Sequence, residues 1–345
     1  MSTAAVVGAI MIACTGADTV GTMNPKPAPT SDSAVAPTSE GQVAPTSEAR
    51  IAPTGEAQVA PTREAQAAPK PVAFDGAKAW EHLRRQVAFG PRPSGTPAIV
   101  ETRRYILDQL TAAGIEAREQ MFIGMTPFGE VSMSNVIGTI PGRRPERVAL
   151  ASHFDTKLYR EFRFVGANDG ASSTAALLEL GRVLKMRQHE FTIELLFLDG
   201  EEARMPEWRG QDNTYGSRHY VEAAQKAGTI GSLKALVLLD MIGDSSLLIR
   251  RDSNSTPWLV DIVWRTAAKL GHGATFSNEL TTIEDDHVPF LRAGVPAVDI
   301  IDLENPTWHT PQDTLDYVSA RSLQIVGDVV LAALPEIEKR LIAGR

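Results

Sequence analysis

The stretch Phe191 to Glu202, FTIELLFLDGEE, limits what this chain can fold into more than any other. Ile193, Leu195, Leu196, Phe197 and Leu198 form an apolar run with the length and composition of a strand buried on both faces. Such a strand belongs to a sheet covered on both sides. The run then stops at Asp199-Gly200-Glu201-Glu202. Like charges this close repel, and partial burial raises their pKa. A divalent metal would relieve the conflict by binding one carboxylate and leaving its neighbour as a base. A solvated acidic turn is the plain alternative, and the surrounding chain decides between them.

The same grammar recurs along the chain. Helices are expected over residues 80–89 and 96–113, strands over 115–122 and 131–140, and a short buried strand, RVALAS, over 147–152 that runs straight into His153-Phe154-Asp155. Gly166-Ala-Asn-Asp169-Gly170 follows, then a helix over 171–186. Asp169 therefore stands at or just before a helix N-terminus, where backbone N–H groups favour its charged form. A polar loop over 211–216 leads to a helix over 217–227, and a buried strand over 233–239 ends on Asp240. The remaining expectations are a helix over 257–270, a helical turn over 288–293, a strand over 297–301 and a long last helix over 319–342. Acidic or imidazole groups close four successive strand-like runs. The pattern predicts an α/β fold of three layers: a central, mostly parallel, twisted sheet with helices on both faces. Ligands of such sheets gather beyond the carboxyl ends of the strands.

The N-terminal part is different. Residues 1–14 are small and apolar, about the length of a signal-peptide core, and Met11-Ile12-Ala13-Cys14 resembles a loose bacterial lipobox. No Lys or Arg precedes the apolar run, and Met11 sits where Leu is usual. The segment reads as a signal with Cys14 as a lipidated residue, which places the protein in the periplasm or on a membrane as a lipoprotein. Residues 15–73 shift to Ala, Pro, Thr, Ser and Glu and repeat an octad: VAPTSEGQ from Val35, VAPTSEAR from Val43, IAPTGEAQ from Ile51 and VAPTREAQ from Val59. With a proline in every repeat and almost nothing to form a core, this is a disordered, extended tether. A glycosylated stalk fits it less well. Residues 74–345 are left as the catalytic domain.

A formal net charge of -8, with both signs mixed along the chain, gives no nucleic-acid surface. Seven histidines and one cysteine exclude a disulfide framework and a cysteine-rich zinc module, so any metal is held by carboxylates and imidazoles. The candidates are His153, Asp169, Glu202, Asp240 and His309. Three such ligands with an open position suit zinc. Glu201, beside a ligand, would be the general base, with Asp240 and Asp285 sharing hydrogen bonds with it. Met241, Arg218, His219 and His272 read as packing, caps or surface.

The runs HFDTK (153–157), GANDGAS (166–172), DGEE (199–202), QDNTYGSRH (211–219), LLDMIG (238–243), EDDHVPFLRAGVP (284–296) and WHT (308–310), with QVAFGPRPSG upstream, resemble the glutaminyl-peptide cyclotransferases, whose fold is that of the zinc aminopeptidases. The likeness runs from about Trp80 to the last helix. It implies one zinc per chain, held by Asp169, Glu202 and His309. It makes Glu201 the acid/base and puts Asp240 and Asp285 in a hydrogen-bond network around it. Trp208 and Trp308 would wall the pocket for a glutamine side chain, with Ile283 and Glu284 beneath. The implied reaction closes the N-terminal glutamine of a peptide or protein to pyroglutamate and releases ammonia, in a chain expected to be monomeric.

The chain departs from the animal enzymes at several points. Glu284 replaces Gln, Asp299 replaces His, Leu303-Glu-Asn-Pro306 replaces a proline- and phenylalanine-containing wall, and Met205-Pro-Glu207 makes the loop after Glu202 one residue longer. These bear on pocket shape. The alternative is a di-zinc aminopeptidase in which His153 and Asp240 hold a second zinc; bracing of the site is the favoured role for His153 and Asp155. A non-catalytic surface binder on a stalk is a third possibility, opposed by the intact Asp169, Glu201, Glu202 and His309 set.

Overall fold

The computed structural model describes residues 72–344. The readings of residues 1–14 as a signal and of nearly all of 15–73 as a tether lie outside the described residues.

Two helices open the domain, α1 (Gly76–Phe89) and α2 (Pro97–Ala112). Helix α1 starts four positions before the expected Trp80, because the Asp75 side chain accepts the N–H groups of Ala77 and Lys78 and caps it there. A hairpin follows, β1 (Glu116–Thr126) and β2 (Gly129–Ile140), longer than its apolar core suggested. Then come β3 (Arg144–His153), α3 (Ala171–Leu184), β4 (Phe191–Leu198), α4 (Tyr215–Lys226), β5 (Leu233–Asp240), β6 (Ile249–Asp252), α5 (Pro257–Lys269), β7 (Phe276–Thr281), α6 (His287–Arg292), β8 (Ala297–Ile301) and α7 (Ala320–Ala343).

The main sheet has the order β1-β2-β4-β3-β5-β8. β1 pairs antiparallel with β2 and β2 with β4, whereas β4, β3, β5 and β8 pair in parallel. The mostly parallel expectation therefore holds, with an antiparallel hairpin at one edge. Alternation along the parallel strands explains the three layers. Val148, Leu150, Ile193, Leu195, Val237 and Leu239 enter the core shared with α1, α3, α5 and α7. Ala149, Ala151, Leu196, Leu198, Leu236 and Leu238 face the core completed by α4 and α6. Both faces are covered, which is why these runs are apolar throughout rather than alternating. The β6–β7 pair forms a small parallel sheet of its own. The sequence reading missed it, because β6 is very short and β7 is mostly exposed and polar.

Candidate functional site

The carboxyl ends of β3, β4 and β5 carry the polar groups. β3 ends on His153 and β5 on Asp240, while β4 delivers Asp199 and the Glu201-Glu202 pair just beyond its last residue. All five are buried.

Each turn is held from behind. Asp199 accepts the Ser94 hydroxyl at 2.6 Å and the Ser134 N–H at 2.9 Å. Asp155 accepts the N–H groups of Glu201 (3.1 Å) and Glu202 (3.3 Å), so it braces the acidic turn. The loop bearing Asp169 is tied by Asp313, which accepts the N–H groups of Asn168 (2.6 Å) and Asp169 (3.1 Å). Arg92, fully buried, donates to the carbonyls of Phe154 (2.8 Å), Val165 (2.6 Å), Gly166 (3.0 Å) and Asp169 (3.4 Å). It thereby joins the β3 exit to the Asp169 loop. Gly170, at φ +81°, has to be glycine: a Cβ there would lie 2.6 Å from the Asp155 carbonyl oxygen.

These supports bring Asp169, Glu202 and His309 together from three distant parts of the chain. His309 Nε2 lies 3.3 Å from Asp169 Oδ2 and 3.2 Å from Glu202 Oε1, and one ligand atom from each residue falls within 4.8 Å of the others. Asp169 Oδ2 and Glu202 Oε2 are buried without a hydrogen-bond donor. Burial alone would lower His309, but Glu202 and Asp169 outweigh it and push the imidazole up to about 10. Burial would raise Asp169, yet the His153 and His309 imidazoles beside it hold its carboxyl well below the usual range. The two carboxylates thus make this point favourable for positive charge. Carboxylate oxygens and an imidazole nitrogen at this spacing fit a three-ligand zinc site with an open position.

Glu201 is close by and outside that triad. Burial, reinforced by Glu202, Asp285 and Asp286 and opposed by His153, raises its carboxyl well above the ordinary range. No described hydrogen bond joins its carboxylate to Asp240 or Asp285. His153 stands beside it: its Nδ1 is 3.8 Å from Glu201 Oε2, beyond hydrogen-bond reach, and its Nε2 is 3.0 Å from Asp240 Oδ1. His153 Nε2 is also 3.2 Å from Asp169 Oδ1, so His153, Asp169 and Asp240 form a second cluster with metal-ligand spacing. Asp285 is pushed up to about 6 by burial and then by Asp240.

A pocket of about 240 Å³ opens over these groups. Trp208, Ile283, Glu284 and Trp308 line it with Asp169, Glu201, Glu202, Asp240, Asp285 and His309; of the candidate ligands only His153 lies outside its lining. Trp308 stacks on the His309 ring at 4.4 Å. Some lining residues were not expected there. Lys157 reaches the Ala203 carbonyl at 3.1 Å and stands 3.6 Å from Glu202 Oε2. Met241, read as packing, lines the pocket at φ +44°. Its only signal in the sequence was its place after the strand-ending Asp240. His219, by contrast, stacks on Phe122, and Arg218 caps the 211–213 turn.

Residues 135–334 match Peptidase family M28. A glutaminyl-peptide cyclotransferase of Drosophila melanogaster is 30% identical over 277 residues, which are 71% of this chain and 78% of the fly protein. The chain belongs to the glutaminyl-peptide cyclotransferases, within Peptidase family M28. A glutaminyl-peptide cyclotransferase-like protein of Mus musculus is 32% identical over 253 residues, 65% of this chain, and the match spans 66% of the mouse protein's length. The crystal structure of an Acidobacteriales bacterium glutaminyl cyclase superposes with a TM-score of 0.74 at 39% identity, over 81% of this chain and 100% of that one. By family, then, the domain is an acyltransferase built on a zinc-aminopeptidase-like fold.

Proposed function

We propose that this cyclotransferase homologue converts the N-terminal glutamine of peptides and proteins to pyroglutamate, releasing ammonia, with one zinc ion held by Asp169, Glu202 and His309. The observation that carries the reading is Glu201: a buried carboxylate with a raised pKa, on the pocket wall, next to the ligand set but not part of it.

Zinc at this triad would supply Lewis-acid polarisation of a carboxamide oxygen. The chain's own residues do the rest. Trp208, Trp308 and Ile283 enclose the side chain and exclude water, folding the γ-carboxamide back toward the α-amine. Glu201 takes a proton from the amine nitrogen as that nitrogen bonds to the γ-carboxamide carbon. It returns the proton to the amide nitrogen as the old C–N bond breaks, so ammonia leaves and Glu201 is regenerated. His153, bonded to Asp240, keeps a polar wall behind Glu201. Glu284 at the mouth, in place of Gln, bears on substrate preference.

Incubation with an N-terminal Gln peptide should release one ammonia per pyroglutamate formed. A chelator should abolish the reaction and zinc should restore it. The second reading, a di-zinc aminopeptidase, draws on the His153, Asp169 and Asp240 cluster. Hydrolysis of amino-acid anilides without ammonia release would favour it and remove the cyclase.

We also read residues 1–14 as an export segment and 15–73 as a tether from a lipidated Cys14, placing the enzyme in the periplasm or on the membrane facing it. Among the described residues no helix is long and apolar enough to cross a membrane. Cys14→Ser should shift the expressed protein from the membrane to the soluble fraction; unchanged fractionation would rule out the lipid anchor.

A further inference from the structure

β1 is an end strand of the main sheet: one of its edges pairs with β2, and among the described strands the other pairs with nothing. Its register against β2 runs without a bulge from Glu116 to Thr126. Residues 120–126, Gln-Met-Phe-Ile-Gly-Met-Thr, hold no charge and no proline. Free N–H and C=O groups on an edge template pairing with another strand, and edges are usually blunted by charges, prolines or bulges. This stretch has none of these.

Its exposed apolar residues share one face. Met121, Ile123 and Met125 alternate along the strand and are 71%, 56% and 69% exposed, and Phe128 in the following turn is 65% exposed. The other face carries a hollow of about 220 Å³ lined by Phe122, Gly124, Tyr215 and His219, in which Phe122 stacks on His219 at 4.4 Å. Gly124 leaves this hollow open, and a Cβ there would lie 2.7 Å from Met133 Sδ. A partner must therefore bring an extended backbone, an apolar row on one face and a side chain to fill the other. β1 supplies all three. An antiparallel copy related by a two-fold axis sets same-face residues opposite one another. With Ile123 on the axis, Met121 meets Met125, Ile123 meets its own copy, and Phe122 stands opposite Gly124, where an aromatic ring covers a glycine well. An axis at Phe122 would set Met125 against Glu119, and one at Gly124 would set Met121 against Pro127. Of these only the Ile123 register matches the apolar row throughout. At their exposures the four side chains offer roughly 450 Å² per copy, over half of the about 800 Å² per partner of a standard interface, before the paired backbones are counted.

We infer that two copies of this chain form a dimer in which the β1 edges pair antiparallel about Ile123, joining two six-stranded sheets into one. The dimer replaces the monomer that the family resemblance implied, and it stands apart from the reaction at the metal triad.

Sedimentation velocity tests it on the full chain carrying Cys14→Ser, which removes the one native thiol. Over a concentration series of about two decades the protein should run at dimer mass and dissociate only on dilution. Ile123→Glu places two carboxylates on the axis; it should weaken the dimer by about 100-fold or more while keeping the parent's far-UV circular dichroism. Ile123→Cys should close a disulfide between copies on mild oxidation, because residues facing across such a pair have Cα atoms about 4.5–5.5 Å apart. Met186→Cys, also 69% or more exposed in the parent but just past α3, should not. A monomer throughout the series, a dimer that survives Ile123→Glu, or a disulfide yield at Ile123 no higher than at Met186 overturns the proposal. The parent's mass needs no variant at position 123, and ammonia release is not the readout, so failure of the cyclase reading would leave this result standing.

Discussion

Glu201→Gln is expected to lower kcat for cyclisation of a Gln peptide by about 10²–10⁴-fold, the usual worth of a positioned acid/base. Zinc at Asp169, Glu202 and His309 should stay bound, because Glu201 is not one of the three. The amide keeps the size of the carboxylate, so the pocket walls are undisturbed and KM should move little. The pH profile gives a second reading. The base must be ionised to accept the amine proton, so turnover falls as pH drops through its pKa. Burial and the nearby Glu202, Asp285 and Asp286 carboxylates raise that pKa, against the opposing pull of His153, and the acid limb should lie above the ordinary carboxylate range. In the Gln variant that limb should vanish from the residual rate. Steady-state kinetics of ammonia release from pH 4 to 9, with a zinc count on the same samples, makes both checks. Wild-type turnover in the variant would take Glu201 out of the chemistry.

The elements legible in the sequence were those whose burial leaves a local mark. β4 and β5 are buried almost end to end, so Ile193–Leu198 and Leu233–Leu239 stood out as apolar runs. The strand-ending His153 and Asp240 stood out because each interrupts such a run. Asp169, Glu202 and His309 are a different matter. No periodicity links residues so far apart, and only the ordered set of motifs joined them before the fold did. What stayed hidden depends on partners without a signature. That His153 stands beside Glu201 could not be read, because side-chain direction at a strand end is set by the neighbouring loops. His287 comes within 3.1 Å of Asp252, which ends a strand of the small sheet that was not foreseen. Arg92 bonds only to backbone carbonyls in the contacts that matter here, and every residue has one.

Arg92 carries the second large effect. Its guanidinium is the common donor for carbonyls on the β3 exit and the Asp169 loop, the two segments that must stay in register for the metal triad to exist. Burial lowers its pKa to about 10, against the pull of Asp169, Asp313 and Asp155, so it remains charged at neutral pH. Arg92→Met keeps the apolar stem and removes every guanidinium donor, taking that partner from the buried carbonyls of Phe154 and Val165 and leaving the nearby carboxylates uncompensated. Removing one partner from a buried charged network costs about 3–5 kcal/mol, a large share of the roughly 5–15 kcal/mol that holds a domain together. For a domain of this size that corresponds to a fall in Tm of roughly 10 °C. Arg92→Lys restores the charge but not the planar fork, so it should recover only part of the loss. The metal triad should suffer beyond the global effect: at a temperature where the Met variant is still folded, its zinc affinity should drop, because the Asp169 loop has lost its tie to β3. Thermal melts with and without zinc separate the two. A Met variant that melts like wild type would show that the loop is held by Asp313 and packing alone.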